Sequence, residues 1–228
     1  MKKPPRRAPV KPASPTPAPL ASGPGKVRVI GGRWRGTRLA VAAAPGLRPT
    51  SDRVRETLFN WLMPILPGAR VLDLFAGSGA LGLEAVSRGA ASAALVERDP
   101  GLAAALREVA GRLPGGEVVT VTQADALGWL ASQPEAGFDL AFVDPPFDAG
   151  LWDAVLPLLM PKLAPSAWLY IESPLSVAPA LGSDWQLHRH GSTREVRYAL
   201  YRRVPGLAAA PTVTLPPDPA GTAPAAKA

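Results

Sequence analysis

Asp144-Pro145-Pro146-Phe147 directly follows the apolar run Leu140-Ala141-Phe142-Val143. The run reads as a buried strand. The tetrapeptide therefore falls at a strand's carboxyl end, where open α/β sheets bind their ligands. It offers a carboxylate, a proline-stiffened carbonyl and an aromatic ring, which together suit chemistry at the planar exocyclic amine of a nucleobase. The lone pair of such an amine is delocalised into the ring, so the nitrogen is a poor nucleophile. The Asp144 carboxylate and the Pro145 carbonyl can accept its two N–H bonds, draw the nitrogen toward tetrahedral geometry and free the lone pair. Phe147 would stack on an extruded base, and Pro146 would stiffen the loop. An Asp-Pro-Pro turn is also common in plain loops. Its position after a buried strand, downstream of a cofactor segment, favours the chemical reading.

That cofactor segment is Val71-Leu72-Asp73-Leu74-Phe75-Ala76-Gly77-Ser78-Gly79-Ala80-Leu81-Gly82: a strand, a glycine-rich turn and a helix start. Gly77 and Gly79 let the backbone turn tightly and approach a ligand closely. Phe75 and Ser78 belong to the same turn and join the candidate cofactor residues. The literal G-x-G-x-x-G pattern fits a nicotinamide dehydrogenase as well as an S-adenosylmethionine enzyme. Asp73 favours the second, because a carboxylate there can face the amino group of a methionine moiety and would sit poorly beside a pyrophosphate. Glu97 ends the next strand and can accept both hydroxyl hydrogens of a ribose. Asp125 and Ala126 follow the third strand, where Asp125 could accept from an adenine amine. Asp125 equally suits a helix N-cap, and the two roles are compatible.

These residues need a scaffold. From Ala69 onward, short apolar runs alternate with helical segments. Strands are expected at residues 70–75, 92–97, 117–121, 138–143 and 166–172, and helices at 79–89, 99–113, 125–133 and 150–162. The alternation predicts an α/β, Rossmann-like fold, with a parallel sheet covered by helices on both faces. Residues 186–191 and 195–203 read as a closing antiparallel hairpin. Upstream, residues 27–30 and 39–41 flank an arginine-rich loop, a second small hairpin. Pro49-Thr50-Ser51-Asp52 then starts a helix, with Val54, Leu58, Trp61 and Leu62 at helical spacing until Pro64. Trp34 is expected to pack the hairpin onto the body. His188 and His190 alternate on a strand and read as structural or exposed. Arg53 and Glu56 suit either a cover over the cofactor or an exposed helical pair.

Composition narrows the chemistry. The 228 residues include no cysteine and only two histidines. This excludes disulfides, thiolate zinc sites, a cysteine nucleophile and a dispersed histidine metal site, so no metal is expected. Residues 1–26 hold eight of the 28 prolines and six Lys/Arg with no acid, and residues 205–228 hold six more prolines. Both ends are expected to be disordered tails, leaving a folded domain at 27–204, of which 27–64 forms the N-terminal hairpin and helix. The net charge is +7, yet residues 57–204 carry eleven basic and fifteen acidic side chains. The basic excess lies in the first quarter of the chain and points to a polyanionic partner. Arg33, Arg35 and Arg38 are the expected phosphate contacts. No apolar run is long enough to span a bilayer. The expected compartment is the cytoplasm, and nothing in the sequence demands more than a monomer.

With these residues in view, the chain resembles the bacterial 16S ribosomal RNA guanine-N2 methyltransferases of the RsmD type. The resemblance rests on RVIGGRWRG (28–36), LRPTSDRVRETLFNWL (47–62), VLDLFAGSGALGLEAVSRGA (71–90), LVERD (95–99) and FVDPPF (142–147). The stretch 47–62 is the most specific, since methyltransferases in general lack it. The resemblance implies a seven-stranded class I methyltransferase fold and S-adenosyl-L-methionine as donor. It implies a guanine N2 amine in the rRNA of the small ribosomal subunit as acceptor. It also implies that Asp144 to Phe147 form the catalytic motif, and that Asp73, Gly77, Gly79, Glu97 and Asp125 hold the cofactor. The basic Pro-rich tail departs from the family pattern. The tetrapeptide alone serves adenine-N6 methylation of DNA or RNA equally well. A nicotinamide oxidoreductase would leave it unexplained.

Overall fold

The computed structural model describes residues 27–39, 51–146 and 150–204. The two tails expected to be disordered lie outside the described residues, as do Phe147 and residues 40–41 of the expected hairpin. The elements run in the expected order. A two-stranded hairpin, β1 (Val27–Arg28) and β2 (Arg38–Leu39), precedes α1 (Asp52–Leu62). Then follow β3 (Arg70–Asp73), α2 (Ala80–Ser87), β4 (Ser92–Glu97), α3 (Pro100–Arg112), β5 (Val119–Gln123) and α4 (Ala126–Ser132). The chain closes with β6 (Phe138–Val143), α5 (Trp152–Leu159), β7 (Leu163–Pro174), β8 (Trp185–Ser192) and β9 (Val196–Arg203).

Seven strands form one sheet in the order β5-β4-β3-β6-β7-β9-β8. The first five are parallel, and β9 joins β7 and β8 antiparallel. The order reverses between β3 and β6, so the crevice at their carboxyl ends is the switch point where this architecture binds ligands. β3 ends at Asp73, two residues short of its expected bound, because the backbone leaves the ladder there. Leu74 N–H then bonds the Phe142 carbonyl and Ala76 N–H the Val96 carbonyl, at 3.2 and 2.9 Å. β5 begins two residues late because 116–118 form a 3₁₀ turn. β7 is longer than expected at both ends, held by β6 on one side and β9 on the other.

Strand alternation splits the core into two layers. Val71, Leu95, Leu140, Phe142, Tyr170 and Leu200 face α1, α2 and α3. Leu72, Val96, Ala141, Val143, Ile171 and Tyr201 face α4 and α5. With both faces covered, a central strand such as Leu140–Val143 is apolar at every position, as a parallel sheet requires. α1, α3 and α4 start at side-chain caps. Ser51 accepts from Val54 N–H at 3.3 Å, and Asp99 accepts from Leu102 N–H at 2.9 Å just before Pro100. Each such cap contributes about 1 kcal/mol.

The N-terminal hairpin is pinned to α2 by polar groups of that helix. The buried Glu84 carboxylate accepts from Ile30 N–H and from Arg88 Nε, both at 2.6 Å. Ser87 Oγ accepts from Trp34 N–H at 2.9 Å and donates to the Gly31 carbonyl at 2.6 Å. Trp34 is buried as expected, its indole N–H on the Pro114 carbonyl at 3.0 Å. Arg55, also buried, links the hairpin to α1. It donates to the Arg28 carbonyl at 2.9 Å and to Asp52 at 2.7 Å, and lies 3.9 Å from Glu84.

Candidate active site

Asp73, at the end of β3, is buried and accepts from Gly82 N–H at 2.9 Å. The contact requires a bare Cα at Gly82. A Cβ there would sit 3.2 Å from Asp73 Cβ and 2.7 Å from Leu95 Cδ1. Burial pushes the Asp73 carboxyl up to about 7, against the pull of the Gly82 bond, and the nearby Glu97 charge adds to the rise. The turn between β3 and α2 holds Gly77 and Gly79 at φ 53° and 72°, a region that L side chains rarely adopt. Gly77 N–H donates to one Glu97 oxygen at 2.8 Å, and Asp99 N–H donates to the other at 2.7 Å. The strand-end glutamate is thus fixed against the glycine turn. Phe75 is half-buried and Ser78 buried in the same turn, and Phe75 packs against the α4/α5 layer.

Asp125 caps α4, accepting from Leu127 and Gly128 N–H at 3.0 and 3.1 Å, while Ala126 behind it is buried. The capping role is therefore filled. The exposed carboxylate retains lone pairs at the carboxyl end of β5, one strand beyond Glu97. Asp73, Glu97 and Asp125 stand at the ends of three adjacent strands, an arc along the sheet edge.

Asp144 sits one residue past β6, beside β3, and is half-buried; Pro145 is buried and Pro146 exposed. The sheet register pairs Val143 with Ile171, so the next residue of β7, Glu172, neighbours Asp144. Glu172 is buried and accepts from Tyr170 Oη–H at 3.0 Å. Desolvation raises the Asp144 carboxyl well above the usual carboxylate range, and the charges of Glu172 and then Asp73 push it the same way. Tyr170 is raised as well, by burial first and the Glu172 charge second. Tyr170 meets Phe142 edge-on at 6.0 Å, and Phe142 meets Phe59 of α1 at 6.1 Å. Three carboxylates on adjacent strands, walled by aromatics, make a site that favours positive charge.

The sequence reading missed Glu172, Tyr170, Arg55 and Glu84. A signal existed for the first two: Trp168, Tyr170 and Glu172 alternate on one face of a strand that neighbours β6. Arg33, Arg35 and Arg38 are all exposed, but they are not one cluster. Arg33 N–H bonds the Ser87 carbonyl, and its guanidinium reaches the Gly115 carbonyl at 3.3 Å and lies 4.7 Å over Trp34. That places the loop tip at the amino ends of β4 and β5, at the opposite end of the sheet from Asp144. Arg38 pairs across the hairpin with Arg28, whose Nε is 3.7 Å from Asp52 at the start of α1. Arg53 and Glu56 are exposed on α1.

A family model described as conserved hypothetical protein 95 matches residues 27–202. Over 188 residues the chain is 46% identical to ribosomal RNA small subunit methyltransferase D of Escherichia coli K12, spanning 81% of this chain and 94% of that protein. The chain belongs to the ribosomal RNA small subunit methyltransferase D family. The Haemophilus influenzae member is 40% identical over 184 residues, spanning 78% of this chain and 94% of that one. The solved structure of the putative methyltransferase yhhF from Escherichia coli superposes with a TM-score of 0.71 at 45% identity, over 79% of this chain and 99% of that one. An RNA methyltransferase from Salinibacter ruber, solved with S-adenosyl-L-homocysteine, shares the fold at a TM-score of 0.55 and 15% identity, over 71% of this chain and 97% of its own. The fold is thus the seven-stranded class I methyltransferase fold, and family membership makes the protein a methyltransferase. Among the described residues, no helix is long and apolar enough to cross a membrane.

Proposed function

We propose that this family member methylates the exocyclic N2 amine of a guanine in 16S ribosomal RNA, with S-adenosyl-L-methionine as donor. The observation that carries the reading is the position of Asp144. It stands at the switch point between β3 and β6, beside the glycine turn, with Asp73 and Glu172 at its flanks. The residues fit the donor. Burial and the Glu97 charge hold Asp73 above its usual range, and burial with the charges of Glu172 and then Asp73 holds Asp144 above its own, so a ligand carrying an ammonium and a sulfonium is the partner that relieves both. A dinucleotide pyrophosphate would add charge of the wrong sign. Glu97, already locked to the turn by two backbone N–H groups, suits ribose hydroxyls, and Asp125 suits the adenine amine. Phe75, Ser78 and Ala126 line the cradle between them.

The donor supplies an electrophilic methyl that needs no further activation. The chain's own task is to present the amine and take up a proton. Asp144 and the Pro145 carbonyl hold the two N–H groups and turn the lone pair toward the methyl. The nitrogen forms its new bond to carbon as the carbon–sulfur bond breaks, and one amine proton departs. Asp144 is the acceptor at hand, and a raised carboxyl is the stronger base once ionised. Phe147 supplies the stacking face for the base. Arg33, Arg35 and Arg38 contact RNA phosphates remote from the target base.

The test is methyl transfer to small subunits, and to protein-free 16S rRNA, from cells lacking the mark, with nucleoside analysis of the product. N2-methylguanine is expected. N6-methyladenine without N2-methylguanine would overturn the choice of base, and no transfer to either substrate would overturn the reading.

A further inference from the structure

The C-terminal hairpin does not share the charge of the body it completes. Residues 57–184 carry six basic and fourteen acidic side chains, whereas residues 185–203 carry five arginines and one glutamate. Two of those arginines lie on a single face with an aromatic group. On the α1 side of the sheet, Trp168 of β7 pairs with Arg202 of β9, which pairs with Gln186 of β8. A bulge between Leu187 and Arg189 turns His188 onto the same side, where its ring meets Trp168 edge-on at 4.9 Å and 85°. The Arg202 guanidinium lies 5.8 Å over the Trp168 ring. Arg189 pairs with Leu200, which places it on this face too. Gln186, His188, Arg189 and Arg202 are exposed, and Trp168 is half-buried.

Among the described residues, α1 is the last helix on this side. Its edge is marked by Trp61, stacked on Tyr198 at 5.8 Å and 27°. Tyr198 pairs with Glu172, next to Asp144. The strip thus starts beside the catalytic end and reaches Trp168 four residues away, about 13 Å at strand spacing. The local field is positive: burial first, then Arg189 and Arg202, hold the His188 imidazole below its ordinary range.

Cationic side chains set around stackable rings on an open sheet face suit an unpaired nucleic-acid strand. The rings take bases of any sequence, and the guanidinium groups take phosphates. Charge complementarity favours a polyanion here, since this patch is basic beside a body, residues 57–184, that is net acidic. We infer that Trp168, His188, Arg189 and Arg202 form a docking strip for single-stranded RNA flanking the target base. This rests on the RNA methylation reading above.

The test compares wild-type protein with R189Q/R202Q, W168L and a matched loss of two charges elsewhere, R107Q/R112Q, on α3. A labelled short single-stranded RNA and its duplex serve as probes, alongside methyl transfer to small subunits and to protein-free 16S rRNA. R189Q/R202Q should weaken single-strand binding about tenfold at low salt and lower the log–log salt slope by about 1.4, from two contacts at about 0.7 each. KM for rRNA should rise with kcat and S-adenosyl-L-methionine affinity unchanged. W168L should weaken binding about tenfold with the salt slope unchanged. If W168L does not fold, the arginine pair alone decides. Unchanged binding and KM in R189Q/R202Q, with wild-type protein active on rRNA, would overturn the strip and leave the methylation reading standing. An equal loss in R107Q/R112Q would also overturn it. So would a loss seen only with assembled subunits, which would assign the face to a protein partner. Wild-type protein inactive on every RNA would defeat the underlying reading instead.

Discussion

Two groups of desolvated carboxylates lie within one domain, and their surroundings differ. Glu84, inside α2, meets donors from three directions: Arg88, the Ile30 amide and, more distantly, Arg55. At the switch point, Asp73 has one backbone donor, Gly82 N–H, and faces the charge of Glu97, while Asp144 faces the charges of Glu172 and Asp73. Both groups carry the desolvation cost of a buried charge, but only the first offsets it within the chain. The comparison teaches how to tell a structural carboxylate from a functional one. The first is complete in the folded protein, and the second, on the function proposed above, is completed by a cationic ligand.

Substitution should therefore act in opposite senses in the two places. Asp144→Asn should lower kcat for rRNA methylation about 10³-fold, within the range for loss of a positioned proton acceptor. The same change relieves like-charge repulsion, so thermal melting of the ligand-free protein at pH 8 should move up rather than down. Retained activity would remove Asp144 from the chemistry. Glu84→Ala should instead destabilise the protein by about 3 kcal/mol, because the Arg88 guanidinium and the Ile30 amide lose their acceptor and the buried Arg55 loses its nearby countercharge. Urea unfolding measures it. A change below 1 kcal/mol would show that the hairpin docks without this contact.

The same contrast explains how far the sequence could be read. The apolar alternation from Ala69 marked every strand and helix of the sheet to within a few residues, because parallel strands buried on both faces leave strong signals. Asp73, Glu97, Asp125 and Asp144 were legible because each stands at a strand end beside a recognisable turn. Glu172 was not. It lies inside the long strand β7, and its importance comes from register with β6, a relation between residues 28 positions apart that local pattern does not carry. Arg55 and Glu84 were hidden for a similar reason. A charged residue on α1 or α2 looks like a surface charge until the hairpin is folded over it. The separation of Arg33 from Arg38 likewise depends on where the loop tip lands.

Asp73 sharpens the comparison through pH. Its carboxyl is raised to about 7 in the folded protein, above the value of about 3.9 expected unfolded. The folded state then binds more protons than the unfolded one between those values. Its contribution to stability is full below pH 4 and is lost as pH rises through 7. Cofactor binding should run the other way, because the ammonium of S-adenosyl-L-methionine needs the ionised form. Affinity should rise up to tenfold per unit between pH 5 and 6.5, and binding there should release a proton. Calorimetry in buffers of different ionisation enthalpy reads both. In Asp73→Asn the slope should vanish; a slope that persists would assign the titration to another group.

Asp125 tests the boundary between the two kinds of carboxylate, since it caps α4 and also stands on the cofactor arc. Serine caps a helix about as well as aspartate, but its hydroxyl is shorter and uncharged. Asp125→Ser should therefore leave the melting temperature nearly unchanged, with α4 still capped through the Leu127 and Gly128 amides. A ligand contact would not survive so well. Loss of a neutral-donor hydrogen bond to a charged acceptor at a partly exposed site should weaken S-adenosyl-L-methionine binding by about 1 kcal/mol, roughly fivefold. The cofactor's adenine amine should account for it, so S-adenosyl-L-homocysteine should lose the same factor, while a donor analogue without that amine should lose none. Equal affinity of wild-type and Asp125→Ser protein for all three would leave Asp125 a cap and nothing more, and would end the cofactor arc at Glu97.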